Sequence, residues 1–130
     1  MSAMAFREPN QVKWMGTRPG HNGTQVLGYD DATVETVNLW TVSAGKTGYL
    51  IAASINTVTN VTGTGRLGIR NVADAVVAIL CSNMWTAAGA ITGQPWYSWP
   101  PIEMPSGYDV FLVASGAGFT ALGTVFGWEE

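Results

Sequence analysis

Charge is what this sequence has least of. Asp, Glu, Lys and Arg make up 12% of its 130 residues, about half the share of an ordinary soluble domain. Six basic residues against nine acidic ones leave a net charge of −3, which excludes the broad cationic face that nucleic acid binding requires. A single cysteine, Cys81, excludes an internal disulfide framework, and a single histidine, His21, leaves few donors for a metal site. Long apolar runs are missing too. The longest, residues 75–81 (AVVAILC), has seven residues, against the roughly 20 that a membrane-spanning helix needs. The first residues, MSAMAFREPN, show no apolar stretch behind a basic start, so synthesis in a reducing cytoplasm is expected.

Sixteen Gly, fourteen Thr and six Trp are what the chain has instead. Thr and aromatic residues suit a pleated, half-buried surface, and Gly suits tight turns. With so few charges, much of the surface must be neutral or apolar. A small domain of that kind is expected to bury part of its surface against other subunits.

Residues 1–24 differ from the rest. Arg7, Lys13 and Arg18 against Glu8 give them a charge of +2, so the remainder carries −5. Pro9, Pro19, Gly16, Gly20 and Gly23 break any periodicity there, which predicts an extended arm rather than a core element. From residue 25 onward the signals are strands, which predicts one domain over 25–130. Residues 33–42 (TVETVNLWTV) are β-branched, and residues 48–59 alternate, with Tyr49, Ile51, Ala53 and Ile55 on one face. Residues 66–71 form a short strand with Leu67 and Ile69 inward. The run 75–81 fits a strand buried on both faces or a short buried helix. Residues 82–101 are the least regular, residues 108–115 alternate around Val110 and Leu112, and 119–128 (FTALGTVFGW) return as a last strand. Seven or so strands without a helical period predict an all-β chain, an antiparallel sandwich or jelly roll. A weak repeat supports paired hairpins: Ser43-Ala44-Gly45 leads to YLIAAS at 49–54, and Pro105-Ser106-Gly107 to FLVAS at 111–115.

Motifs with chemistry are scarce. Gly45-Lys46-Thr47 resembles the end of a phosphate-binding loop, but that loop needs a Gly where Trp40 stands and a helix afterward. A hairpin turn is expected there. Asp30-Asp31 reads as turn carboxylates before a strand. Nucleophilic catalysis by Cys81 or a serine would need His21 as base, and no nucleophile-elbow pattern is present. Nothing selects Glu103 and Asp109 as a pair for glycoside cleavage. The expectation is therefore no catalytic residues, no metal and no cofactor.

The best-defined feature is aromatic. Trp96, Tyr97 and Trp99 lie within four residues, stiffened by Pro95, Pro100 and Pro101, with Trp85 upstream. Large rings of this kind anchor in neighbouring subunits, stack on sugars, or cover the open end of a sandwich. These four residues are the expected interface or glycan platform.

Three segments carry a family resemblance: TVSAGKTGYL at 41–50, PIEMPSGY at 101–108 and the closing GWEE at 127–130. Together they resemble small virion structural proteins of tailed bacteriophages, in which a "val-pro-ala-gly-lys" turn, a "leu-pro-ala-gly" turn and a closing "gly-tyr-glu" strand recur. The resemblance covers about residues 37–130. The chain departs from it at Ser43, Ser106 and Trp128, and by the insertion from Trp85 to Trp99. The resemblance implies a jelly-roll-like fold, self-association (often as trimers), a place on capsid or tail, and no enzyme. The resulting expectation is a capsid decoration or cement subunit located in the virion and made in the host cytoplasm. Its partners would be itself, as a homotrimer, and the major capsid protein or other virion proteins, with neither nucleic acid nor membrane. Arm residues Phe6, Arg7, Lys13, Trp14, Met15 and Arg18 would contact the shell. The alternative is a tail or fibre module that reads host glycans through the aromatic loop.

Overall fold

Alternating small, β-branched and aromatic residues with glycine-marked turns give eight strands and, among the described residues, no helix. The computed structural model describes residues 23–33, 35–59, 61–86 and 94–130, the side chains of Gln94 and Trp99 excepted. The strands are β1 (Thr24–Ala32), β2 (Thr36–Thr41), β3 (Gly48–Thr57), β4 (Gly63–Arg70), β5 (Val76–Trp85), β6 (Gln94–Met104), β7 (Asp109–Ser115) and β8 (Ala121–Glu129). They form two four-stranded antiparallel sheets, ordered β1-β8-β3-β6 and β2-β7-β4-β5. The chain is an antiparallel β-sandwich, as its composition predicts.

Between the sheets lie Leu50 and Ile55 of β3, Leu67 of β4, Val110 and Leu112 of β7 and Val125 of β8, all fully buried. Each such side chain contributes about 1.5–3 kcal/mol over its exposed state, and these contacts hold the two layers together. In β2 a bulge between Asn38 and Trp40 turns both Leu39 and Trp40 inward, where strict alternation would expose one of them. Glycines face the large Trp40 ring: a Cβ on Gly48 or Gly127 would crowd it at 3.0–3.1 Å and collide with Val42 Cγ2 or the Tyr49 carbonyl.

Several strand expectations need correction. Residues 33–42 are not one strand, because β1 ends at Ala32 in one sheet and β2 begins at Thr36 in the other. Thr24, placed in the arm by sequence, opens β1; residues 1–22 lie outside the described residues. In β3 a register shift between Leu50 and Ala52 reverses the expected facing at Tyr49. Leu50, Ala53 and Ile55 are therefore buried between the sheets, while Tyr49 stacks on Trp128 at 4.9 Å on the outer side. The apolar run 75–81 is not buried on both faces. It belongs to β5, an edge strand, with Val76, Val77 and Ile79 44–54% exposed. The stretch 82–101, expected to be irregular, holds the end of β5 and most of β6, whose three prolines are accommodated because β6 is the other sheet's edge, where a missing N–H breaks no ladder.

The two repeated turns meet at one end of the sandwich. Gly45 and Gly107 both adopt positive φ (75° and 84°), which glycine reaches without steric cost. Ser106 Oγ accepts from the Gly45 N–H and donates to the Ser43 carbonyl, and Val42 exchanges backbone bonds with Gly107 and Tyr108. Neither is a hairpin within one sheet: the 42–47 turn joins β2 to β3 and the 105–108 turn joins β6 to β7, each crossing between layers.

Candidate functional site

Register aligns two neutral rows of side chains across the outer face of the β1-β8-β3-β6 sheet. One runs Leu27, Phe126, Ala52, Tyr97; the next runs Tyr29, Thr124, Ser54, Pro95. Neither row contains a charge. Leu27, Tyr29 and Tyr97 are 71%, 65% and 75% exposed, so the rows end in large solvent-facing side chains. Near the β6 end, Tyr97, Pro95, Phe126, Ala52, Ser54 and Thr124 line an open groove of about 150 Å3 whose surface is nearly all apolar. Such a groove fits an aliphatic or aromatic side chain, or the apolar face of a sugar ring. Asp31, next along β1 on the same face, supplies the negative margin.

A second surface lies along β5. Val76, Val77, Ile79 and Met84 are exposed, as is Val72 in the turn that feeds the strand. That turn is built by Asn71, whose side-chain oxygen accepts from the N–H groups of Ala73 and Ala75, while Asp74 takes φ 61°. On the neighbouring strand, Arg70 grips Asp109 through two bonds of 2.9 and 3.0 Å and lies over the Phe111 ring at 5.2 Å. Asp109 fixes the guanidinium and raises its pKa further above the ordinary arginine value. Arg66, opposite Ser82 on the strand next to β5, is exposed and has no ion-pair partner among the described residues.

The expected aromatic platform is divided by strand alternation. Trp85 is a core side chain, 3% exposed and 5.4 Å from the Phe119 ring. Trp96 opposes Ala53 and packs half-buried against the core, whereas Tyr97 opposes Ala52 and faces solvent. The Trp99 side chain and arm residues Phe6, Arg7, Lys13, Trp14, Met15 and Arg18 lie outside the described residues. Sequence reasoning missed Leu27, Tyr29 and Phe126, which reach Tyr97's face only through sheet pairing. Their own signal was alternation in TQVLGYDDA, where Leu27, Tyr29 and Asp31 share one parity.

Reactive groups do not converge. Glu103 sits on the outer side of one sheet and Asp109 on the outer side of the other, so the two carboxylates face opposite directions. Cys81 is buried, and desolvation pushes its thiol pKa up, which keeps it protonated. Among the described residues no three His, Cys, Asp or Glu side chains gather as a metal site, and no helix is long and apolar enough to cross a membrane. His21 is outside the described residues. No protein-family model matches the chain, and a search of curated proteins found no similar sequence.

Proposed function

We propose that this chain is a non-enzymatic virion structural protein, a capsid decoration or cement subunit that acts by covering surface. The observation that carries the reading is the pair of uncharged, aromatic-ended rows on the outer face of the β1-β8-β3-β6 sheet, flanked on that face by Asp31 and Glu103, together with the exposed apolar edge at β5. Contiguous apolar surface on a small soluble domain marks a contact surface. The strand order supports the same reading. With strands numbered along the chain, the order 1-8-3-6 over 2-7-4-5 supports reading the sandwich as a jelly roll of two Greek keys, an architecture found among capsid domains. The turn motifs at 41–50 and 101–108 and the GWEE end, which resemble those of tailed-phage virion proteins, point the same way.

In this reading copies associate, as a homotrimer, and the basic, aromatic-bearing arm at 1–24 reaches the major capsid protein. Binding only to the closed shell stabilises it by mass action. The test is the temperature at which purified shells open, measured with and without added protein. Added full-length chain raises it, and a chain lacking residues 1–20 stays folded but leaves it unchanged. An equal rise with the truncated chain overturns the role of the arm, and no rise with either overturns the cement reading.

One observation favours a second reading. Tyr97 is 75% exposed beside an apolar groove, the arrangement on which a sugar ring stacks. A tail or fibre module that binds host glycans would respond on a glycan array, and Tyr97→Ala would abolish that response.

A further inference from the structure

The four edge strands are not alike. β6 carries Pro95, Pro100, Pro101 and Glu103; β1 carries Asp30 and Asp31; β2 is only six residues long. Each of these is a device that discourages another strand from adding on. β5 is ten residues, VVAILCSNMW, with no charge and no proline, and its ladder with β4 shifts register twice. Of the nine large hydrophobic residues exposed among the described ones, five (Val72, Val76, Val77, Ile79 and Met84) belong to β5 or its feeding turn. Three of the remaining four, Leu27, Tyr29 and Tyr97, belong to the outer face of the other sheet. The exposed apolar surface is therefore concentrated in two places.

We infer that these two places are the two halves of one contact: the β5 edge of one copy docks on the β1-β8-β3-β6 outer face of a second copy. This rests on the self-association in the function proposed above and adds where it occurs. Charge argues for a second copy as the occupant. Arg66, beside β5, is an exposed cation without an ion-pair partner among the described residues, and the receiving face is bordered by the exposed carboxylate of Asp31 on β1. The two surfaces are neutral in their apolar parts; the β5 margin is positive at Arg66, opposite in sign to the Asp31 margin of the receiving face, while the exposed carboxylate of Asp74 lies in the turn at the start of β5. Shape argues the same way, because the groove between Tyr97 and Phe126 has room for an aliphatic side chain of the kind β5 presents.

The contact is head-to-tail, since the two surfaces differ. β5 lies beside β6 at one edge of the sandwich, and the receiving surface is a broad face. An edge and an adjoining face are neighbouring sides of the molecule, so repeating the contact turns the chain through a large angle per copy. Head-to-tail contacts of this kind close into rings when the rotation completes a turn, which is the closure a trimer requires.

The experiment uses the full-length chain and two exposed-surface variants. One is an edge variant, Val77→Glu with Ile79→Glu; the other is a face variant, Leu27→Glu with Tyr97→Glu. Circular dichroism checks that both are folded, and light scattering gives the masses. Wild type is expected as an oligomer, and each variant alone at the 13.8 kDa of a single chain. A mixture of the two regains pairs of twice that mass, because each variant keeps one intact half. Arg66→Glu or Asp31→Lys alone weakens association about tenfold, and the two together restore it. If wild type oligomerises but the face variant does too, or if the mixture stays monomeric, this contact is wrong while self-association stands. If wild type is monomeric at every concentration, self-association itself fails.

Discussion

Glu129 accepts a 2.7 Å hydrogen bond from the indole N–H of Trp40, joining the last strand of one sheet to the first strand of the other across 89 residues of sequence. The same carboxylate oxygen accepts from the Ser43 backbone N–H at 3.2 Å. Burial opposes the charged form, but these donors outweigh it and hold the carboxyl below its ordinary value. The acid is thus an inter-sheet fastening, placed where the chain leaves β2 for the turn that begins at Ser43.

Glu129→Gln should lower stability by about 1 kcal/mol, and Glu129→Ala by about 2–3 kcal/mol because it leaves a buried indole N–H unsatisfied. Because folding depresses this pKa, its contribution is complete above the ordinary Glu value of 4.5 and is lost as pH falls through the lower folded-state value. Urea unfolding of wild type and Glu129→Gln should therefore differ at pH 7 and converge in acid. A difference that grows in acid contradicts the assignment.

The Arg70–Asp109 pair is bidentate, and its side chains are 19% and 9% exposed. A double-mutant cycle with Arg70→Ala and Asp109→Ala should give a coupling of about 1–2 kcal/mol, more than an exposed pair provides. Asp109→Ala alone should be the more damaging for its size, since it leaves a partly buried guanidinium over Phe111 without its counter-charge. Additive losses in the cycle would show that the geometry contributes nothing specific.

Gly63 lies under the face of Phe119, so that a Cβ there would meet the ring itself. Phe119 is fully buried against Trp85 and has no room to retreat. Gly63→Ala should cost about 3 kcal/mol and lower the melting temperature by about 10 °C. Gly45→Ala meets no neighbouring atom but requires a left-handed backbone at φ 75°, and should cost about 1 kcal/mol. Thermal scans of the two variants test the order.

Cys81 should be inert in the folded protein. Its thiol is buried, and burial raises its pKa, so labelling by an aromatic disulfide reagent should wait for unfolding. Rapid labelling at pH 8 without denaturant would mean that β5 opens locally, since Cys81 pairs with Leu67 in the middle of the β4–β5 ladder.

Local residue chemistry made the sandwich legible. Gly45 and Gly107 marked turns, Val110 and Leu112 marked a buried parity, and Leu67 with Ile69 marked another; all take those roles. What failed did so for non-local reasons. Residues 75–81 look like a central strand because every residue is apolar, and only the sheet order reveals that one side has no neighbour. Pro95, Pro100 and Pro101 looked like a loop because prolines are incompatible with central strands, yet an edge admits them. The bulge at Ile51 reverses Tyr49, and a bulge leaves no mark in a run of apolar residues. The candidate face was less legible still. Tyr97 stood out in the sequence, but Leu27, Tyr29 and Phe126 are 29 to 70 residues away from it and join its face only by pairing.

The central claim is that this chain covers a virion shell, and the most direct measurement is where it sits. Immunogold electron microscopy of purified particles, with antibody raised against the full-length chain, reads that position. The account predicts gold distributed over the head shell and lost when residues 1–20 are deleted. Gold confined to tail or fibre tips, or particles that bind none, would contradict it.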